Sequence, residues 1–241
     1  MKSSRLPSLR SVRVWGGLPW EDVRELIESF LAPLEGVRVV VFEPGAAPDP
    51  AVMARSAEVP RMTSGRAALI MLMDRYVNAL LDPFVTLLEV HKLMYFLQEA
   101  GEPLKLNYKK HLYGPYAENL RHVLKAIEGH MVSGYADGGD RPGKPIELLP
   151  GAVDDAYRFV SGDIELGSRI DRTAELIRGF QTPFGLELLS TVYWVVVNEH
   201  ALTPQEATEA VHAWNVGKRK FSSRQVAIAY RTLEEHGWLA S

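Results

Sequence analysis

The stretch HKLMYFLQEAGEPLKLNYKKHLYGPYAENLRHVL, His91 to Leu124, holds the reading on which the fold turns. It begins as an apolar helix, breaks at Gly101, runs extended, turns at Gly114-Pro115 and resumes helical spacing. Leu93, Phe96 and Leu97 make the stripe this helix would bury, and Tyr95 and Phe96 read as core. Pro115 is expected at the first position of the next helix, where its missing N–H is not needed. The same stretch carries His91, His111 and His122, five Lys or Arg, and four tyrosines. Such density suits either a set of proton carriers or the polar rim of a helical domain. Lys92, flanked by apolar residues, is read as a snorkelling surface lysine rather than a perturbed buried amine.

Downstream the helical pattern continues. GAVDDAYRFVSG, SRIDRTAELIRGF, PFGLELLSTVYWVVVNEH, TPQEATEAVHAWN and SSRQVAIAYRTLEEHGWL read as helices, and IELLP as a short extended piece. Thr203-Pro204-Gln205-Glu206 is a capping box with proline at its first helical position. The last two helices, followed by HGWL, have the look of a winged-helix or helix-turn-helix tail, joined by the basic run GKRKFSSRQ. That run reads as a solvated loop with Lys218 and Lys220 in water. Phosphate contact through Lys218, Arg219 and Lys220 is the alternative.

Upstream, RAALIMLMDRYVNALL is a strongly apolar helix, after which Asp82 is the expected N-cap and Pro83 the first position of the helix that runs to Gly101. GGLPWEDVRELIESFLAPLEGVRVVVFEPG reads as loop, amphipathic helix and buried parallel strand, the latter without a visible partner strand. Three parts follow: residues 1–44 as the end of an α/β domain, 45–65 as a Pro-, Ala- and Gly-rich linker, and 66–241 as a helical domain.

The 241 residues carry a net charge of −3, with 46% hydrophobic and 24% charged residues, an ordinary globular balance. No global basic field points to nucleic acid. Residues 150–241 are mildly acidic, with 12 acids against 9 bases. The absence of cysteine excludes disulfides and thiolate metal sites, and no apolar run is long enough for a membrane span. A cytoplasmic protein is expected.

Chemistry leaves little trace. Histidine spacings match no zinc motif, and His122 and His130 lie eight residues apart across a helix end. There is no Gly-x-Ser-x-Gly elbow and no Walker-type loop. Asp154 and Asp155, like Glu234 and Glu235, are adjacent and would diverge on a helix. No catalytic, metal or cofactor set is therefore expected.

Two segments resemble known families. GGLPWEDVRELIESFLAPLEGVRVVVFEP resembles the closing loop, helix and strand of a macrodomain, an ADP-ribose-binding fold, with Gly16 and Gly17 matching the end of its phosphate-loop glycines. The region with KLMYFLQEAGEPLKLNYKKHLYGPYAENL resembles the C-terminal domain of DarG antitoxins, and YGPY with KLMYFL is similar to the wider Panacea or SocA-like class. The DarG resemblance runs in order over residues 15–241. It implies a mainly α, multi-helical domain with a winged-helix-like C-terminal part, preceded by an α/β macrodomain C-terminal fragment. With residues 1–44 read as a truncated macrodomain remnant, it also implies a non-enzymatic antitoxin. Such a protein would bind a DarT-like DNA ADP-ribosyltransferase toxin directly and occlude its single-stranded DNA site, with no cofactor. Candidate toxin contacts are Tyr108, Tyr113, Tyr116, Arg121 and Trp214, potential aromatic and Arg anchors near polar turns. The alternatives are the family's DNA ADP-ribosyl hydrolase activity and a DNA-binding operon autoregulator.

Overall fold

A computed structural model describes residues 20–31, 59–80, 84–135 and 139–239. The chain divides into two compact units, Met1–Ala54 and Arg55–Ser241. In the first, α1 (Trp20–Leu31) is amphipathic, and Arg24 pairs with Glu28 one turn on at 2.8 Å. The expected strand at VRVVVFEP, most of the linker, and Gly16 and Gly17 lie outside the described residues, as do Asp82 and Pro83.

The second unit is mainly helical. Its elements are α2 (Ser64–Leu80), β1 (Val85–Thr86), α3 (Leu87–Glu99), β2 (Tyr108–His111), β3 (Gly114–Ala117), α4 (Leu120–Ile127), β4 (Val132–Ser133) and β5 (Pro145–Leu148). There follow α5 (Ala152–Val160), α6 (Ile164–Leu176), α7 (Pro183–Glu199), α8 (Pro204–Trp214), a 3₁₀ turn at Val216–Lys220 and α9 (Ser223–Glu235). Two short antiparallel sheets serve as struts. One has the order β1-β5-β4, with Val85 opposite Ile146 and Val132 opposite Leu148; the other is the β2–β3 hairpin, with Tyr108 opposite Ala117 and His111 opposite Gly114.

The core is organised by α3 and α7, which pack on one another. Every residue of α3 from Leu87 to Leu97 is buried, and α7 is buried on nearly all sides from Gly185 to Val196. A helix without a solvent face belongs at the centre of a bundle. Around this pair, α2 packs on α5 and α6, and α7 also receives α8 and α9. Tyr95, Phe96 and Tyr193 join an aromatic cluster closed by Trp238, whose ring lies edge-on to Phe96 at 5.6 Å and to Tyr193 at 5.8 Å.

Two boundaries differ from expectation. Helix α3 starts at Leu87, because Val85–Thr86 is committed to pairing with β5. The cap is Thr86, which accepts from the Glu89 N–H while Glu89 accepts the Thr86 N–H at 2.7 Å. Glu89 is itself buried and also accepts the Tyr76 hydroxyl. Pro115 does not start a helix. It lies in β3 opposite Lys110, and α4 begins only at Leu120. The preceding Asn119 makes no side-chain cap; it accepts from the Asn107 N–H and donates to the Lys105 carbonyl, tying the approach of β2 to α4.

At the C-terminal end Ser222 and Gln225 form a capping box for α9. The run GKRK is not an open loop but the 3₁₀ turn between α8 and α9, and no strand follows α9 among the described residues.

Candidate functional site

The conspicuous chemistry gathers where the β2–β3 hairpin rests on α3 and α7. Gly114 turns the hairpin at φ +92°, which an L side chain rarely adopts. A Cβ there would stand 2.9 Å from Thr191 Oγ1 and 3.4 Å from Lys92 Nζ. The hairpin backbone thus comes closer to α7 than any side chain would allow. From the far side, Trp214 Nε1 donates to the His111 carbonyl at 2.8 Å and Asn215 Nδ2 to the Leu112 carbonyl at 3.2 Å. The end of α8 therefore holds the tip of the hairpin in place.

Beneath the hairpin lies a buried charge cluster. Lys92 is 2% exposed, and its amine donates to the Pro115 carbonyl at 2.5 Å. Burial drives its pKa far down, and the charge of Lys218 adds to this against the pull of Glu187. Lys218 is fully buried and donates to Glu187 at 2.8 Å and to Thr191 at 3.0 Å. Its pKa is lowered to about 8 by burial, opposed by Glu187. Lys220 reaches the second oxygen of Glu187 at 2.8 Å from the surface. One buried carboxylate thus faces two lysines, while a third sits nearby as a desolvated amine. The snorkelling reading of Lys92 fails because α3 has no solvent face to snorkel to. Lys218 cannot face water or a phosphate backbone, since its amine is committed to Glu187. This removes one of the three cations from the expected DNA-contacting run and leaves Arg219 exposed at the surface.

Above the hairpin opens a cleft of about 600 Å³ between β2, β3 and α4. Lys109, Lys110, His111 and Tyr116 line one side and Arg121 and His122 the other. His111 is exposed and lies 4.8 Å from the Tyr116 ring, and Tyr116 in turn stacks on buried His91 at 4.3 Å. His91 lines a smaller, neighbouring cavity of about 170 Å³. Its Nδ1 is buried without a hydrogen-bond partner, and burial lowers its pKa to about 3, helped by Lys92 and then His111. Asp140 belongs to both cavities and accepts from Tyr135 at 3.4 Å and from Tyr116. Burial first, then the charge of Asp140, raises both phenols, Tyr135 to about 12. Both therefore keep their protons near neutrality. The cleft offers cations and aromatic faces, groups suited to holding phosphate and a planar ring, beside two carboxylates, Glu118 and Asp140. Among the described residues no three His, Asp or Glu are placed to hold a metal ion, and no helix is long and apolar enough to cross a membrane.

The five expected contact residues have divergent roles. Tyr108 turns its hydroxyl inward to the His91 carbonyl at 3.1 Å and packs edge-on to Tyr95, so it serves the core. Trp214 is half-buried against Trp194, with Lys110 at 4.6 Å over its ring. Tyr116 and Arg121 meet at the cleft, where Arg121 also pairs with Glu118 at 3.0 Å. Tyr113 is exposed near the hairpin tip. Sequence reasoning missed Lys92, Glu187 and Lys218 as a unit. A usable signal was present: PFGLELLSTVYWVVV carries a single acid in an apolar helix, which demands a buried cationic partner.

No family model matches the chain. It is 40% identical over 240 residues, 99% of its length, to a Thermus aquaticus protein named DNA ADP-ribosyl glycohydrolase, of which it spans 65%. It is 33% identical over 227 residues, 89% of its length, to proteins of the same name from Mycobacterium bovis and Mycobacterium tuberculosis, of which it spans 64%. The chain thus covers a little under two thirds of the length of the curated relatives it matches. Those relatives bear the name of an enzyme. The expectation of a non-enzymatic DarG-type antitoxin that blocks a DarT-like toxin is corrected accordingly: the likeness over nearly the whole chain is to proteins named DNA ADP-ribosyl glycohydrolases.

Proposed function

We propose that this chain acts in the hydrolytic removal of ADP-ribose from DNA. The observation that carries the reading is its 40% identity, over 99% of its length, to a relative named for that activity. The reaction adds water to the anomeric carbon of the ribose, breaks the bond to DNA and returns a proton to the DNA atom that leaves. Its substrate brings phosphates, sugars and bases together, and the β2–β3 cleft has the cations and aromatic rings to meet them. A cytoplasmic location goes with a DNA substrate. The finer architecture belongs to the same reading. Residues 1–44 are the closing part of a macrodomain, 45–65 a linker, and α8 with α9 a helix-turn-helix-like pair at the end of the helical domain.

The test is direct. The purified chain is incubated with an ADP-ribosylated oligonucleotide, and free ADP-ribose is followed by chromatography. Release is the expected result. No release, under conditions where the Thermus aquaticus relative frees ADP-ribose from the same oligonucleotide, would overturn the proposal.

A further inference from the structure

The segment from Pro103 to Lys125 carries five bases, Lys105, Lys109, Lys110, Arg121 and Lys125, against one acid, Glu118, in a chain whose net charge is −3. Folding concentrates part of this excess. Strand β2 is exposed from Lys109 to His111 and forms one wall of the cleft, and α4 presents Arg121 and His122 on the other. Between them, exposed His111 extends the ring contacts of Tyr116 and His91, and exposed Tyr113 follows at the hairpin tip.

We propose that this cleft is a binding site for single-stranded DNA. It seats one unpaired base against His111, with three phosphates of the strand against Lys109, Lys110 and Arg121. The volume, about 600 Å³, falls in the range of small-molecule sites and admits a nucleotide. Cations that follow a backbone beside aromatic faces are the combination by which proteins hold single strands without reading sequence. The acids present are compatible with it. Glu118 pairs with Arg121 and Glu199 with Lys110, both at the surface, where an ion pair is weak enough for phosphate to take over the cation. Asp140 is engaged by Tyr116 and Tyr135. A duplex lacks the free base face that His111 would meet. The inference rests on the proposed activity only for the choice of DNA as the polymer.

The experiment measures the affinity of the whole chain for a fluorescein-labelled, unmodified thymidine homopolymer by anisotropy over a range of salt. With three phosphates engaged, doubling the salt lowers the affinity about fourfold. The Lys109→Glu, Arg121→Glu double variant loses at least about tenfold, and its salt slope falls by about 1.4, about 0.7 for each phosphate contact removed. Lys109→Arg binds as the parent does. Arg219→Glu, in the basic turn before α9, leaves affinity within about twofold, since it removes a cation outside the cleft. Unchanged binding by the double variant, loss concentrated in Arg219→Glu, or Lys109-dependent binding of free ADP-ribose in place of the oligonucleotide would each overturn the proposal. Because the oligonucleotide carries no ADP-ribose, its binding stands or falls independently of the hydrolysis assay.

Discussion

Gly114 shows how one residue can fix a site. Its backbone is in the left-handed region, and the space where a Cβ would go is occupied by Thr191 Oγ1 at 2.9 Å. Two penalties therefore coincide at one position, backbone strain and overpacking, and they sum to about 3 kcal/mol. Gly151 also has a positive φ, +84°, but nothing lies within 4 Å of its missing Cβ. Gly114→Ala is expected to lower stability by about 3 kcal/mol and Gly151→Ala by about 1, measured by urea denaturation. Equal losses at the two positions would show that the contact with α7 does not hold the hairpin.

Between elements, the bond that matters runs from α7 to the 3₁₀ turn before α9. Glu187 on α7 is 4% exposed and joins Lys218 and Lys220. Removing the acid alone strands the Lys218 ammonium in the interior, at a cost of about 3–5 kcal/mol. Removing both charges leaves no stranded ion. Glu187→Leu should therefore be severely destabilising, and the double variant Glu187→Leu, Lys218→Met less so than the sum of its parts, with a coupling of about 1–3 kcal/mol. A double-mutant cycle in guanidinium decides the point, and strictly additive singles would show that the two residues do not act as a pair. The same bond explains why GKRK, though basic in sequence, is not a free basic patch: the fold turns its first lysine inward.

For the whole molecule, the buried histidine links the hairpin to acid stability. His91 titrates near 3 in the native state, against 6.5 ordinarily, because burial and the neighbouring Lys92 and His111 disfavour its charge. Between those two values the unfolded chain takes up a proton that the native chain refuses. Stability from this source is complete above about pH 6.5 and is lost as pH falls, by about 1.4 kcal/mol per unit. Glu99 works in the opposite sense, since burial raises its native pKa above 4.5 and the native state then binds the proton more readily. The expected outcome is a denaturation midpoint that falls from pH 6.5 toward 4, with a visibly flatter limb in His91→Phe. An unaltered limb in that variant would assign acid sensitivity to other groups.

Local pattern alone placed most of the helices. Pro183 and Pro204 after capping threonines, Gly101 past the end of α3 and the 3.6-residue spacing of α4 and α9 are interactions among near neighbours, so the sequence carries them openly. The absence of cysteine likewise excluded disulfides at once. The sequence was silent wherever a residue's fate depends on a distant partner. Pro115 joined a strand because Lys110 lay opposite it, and Leu87 rather than Pro83 began α3 because β5, some sixty residues on, claimed Val85 and Thr86. Lys92 and Lys218 look like surface lysines along the chain, and only the packing of α3, α7 and the turn before α9 enclosed them. The cleft followed the same rule, for Lys109 and Arg121 face one another only once the hairpin has closed. Short-range preferences are written residue by residue. Burial and charge pairing are properties of the assembled core, and tertiary structure alone decided them.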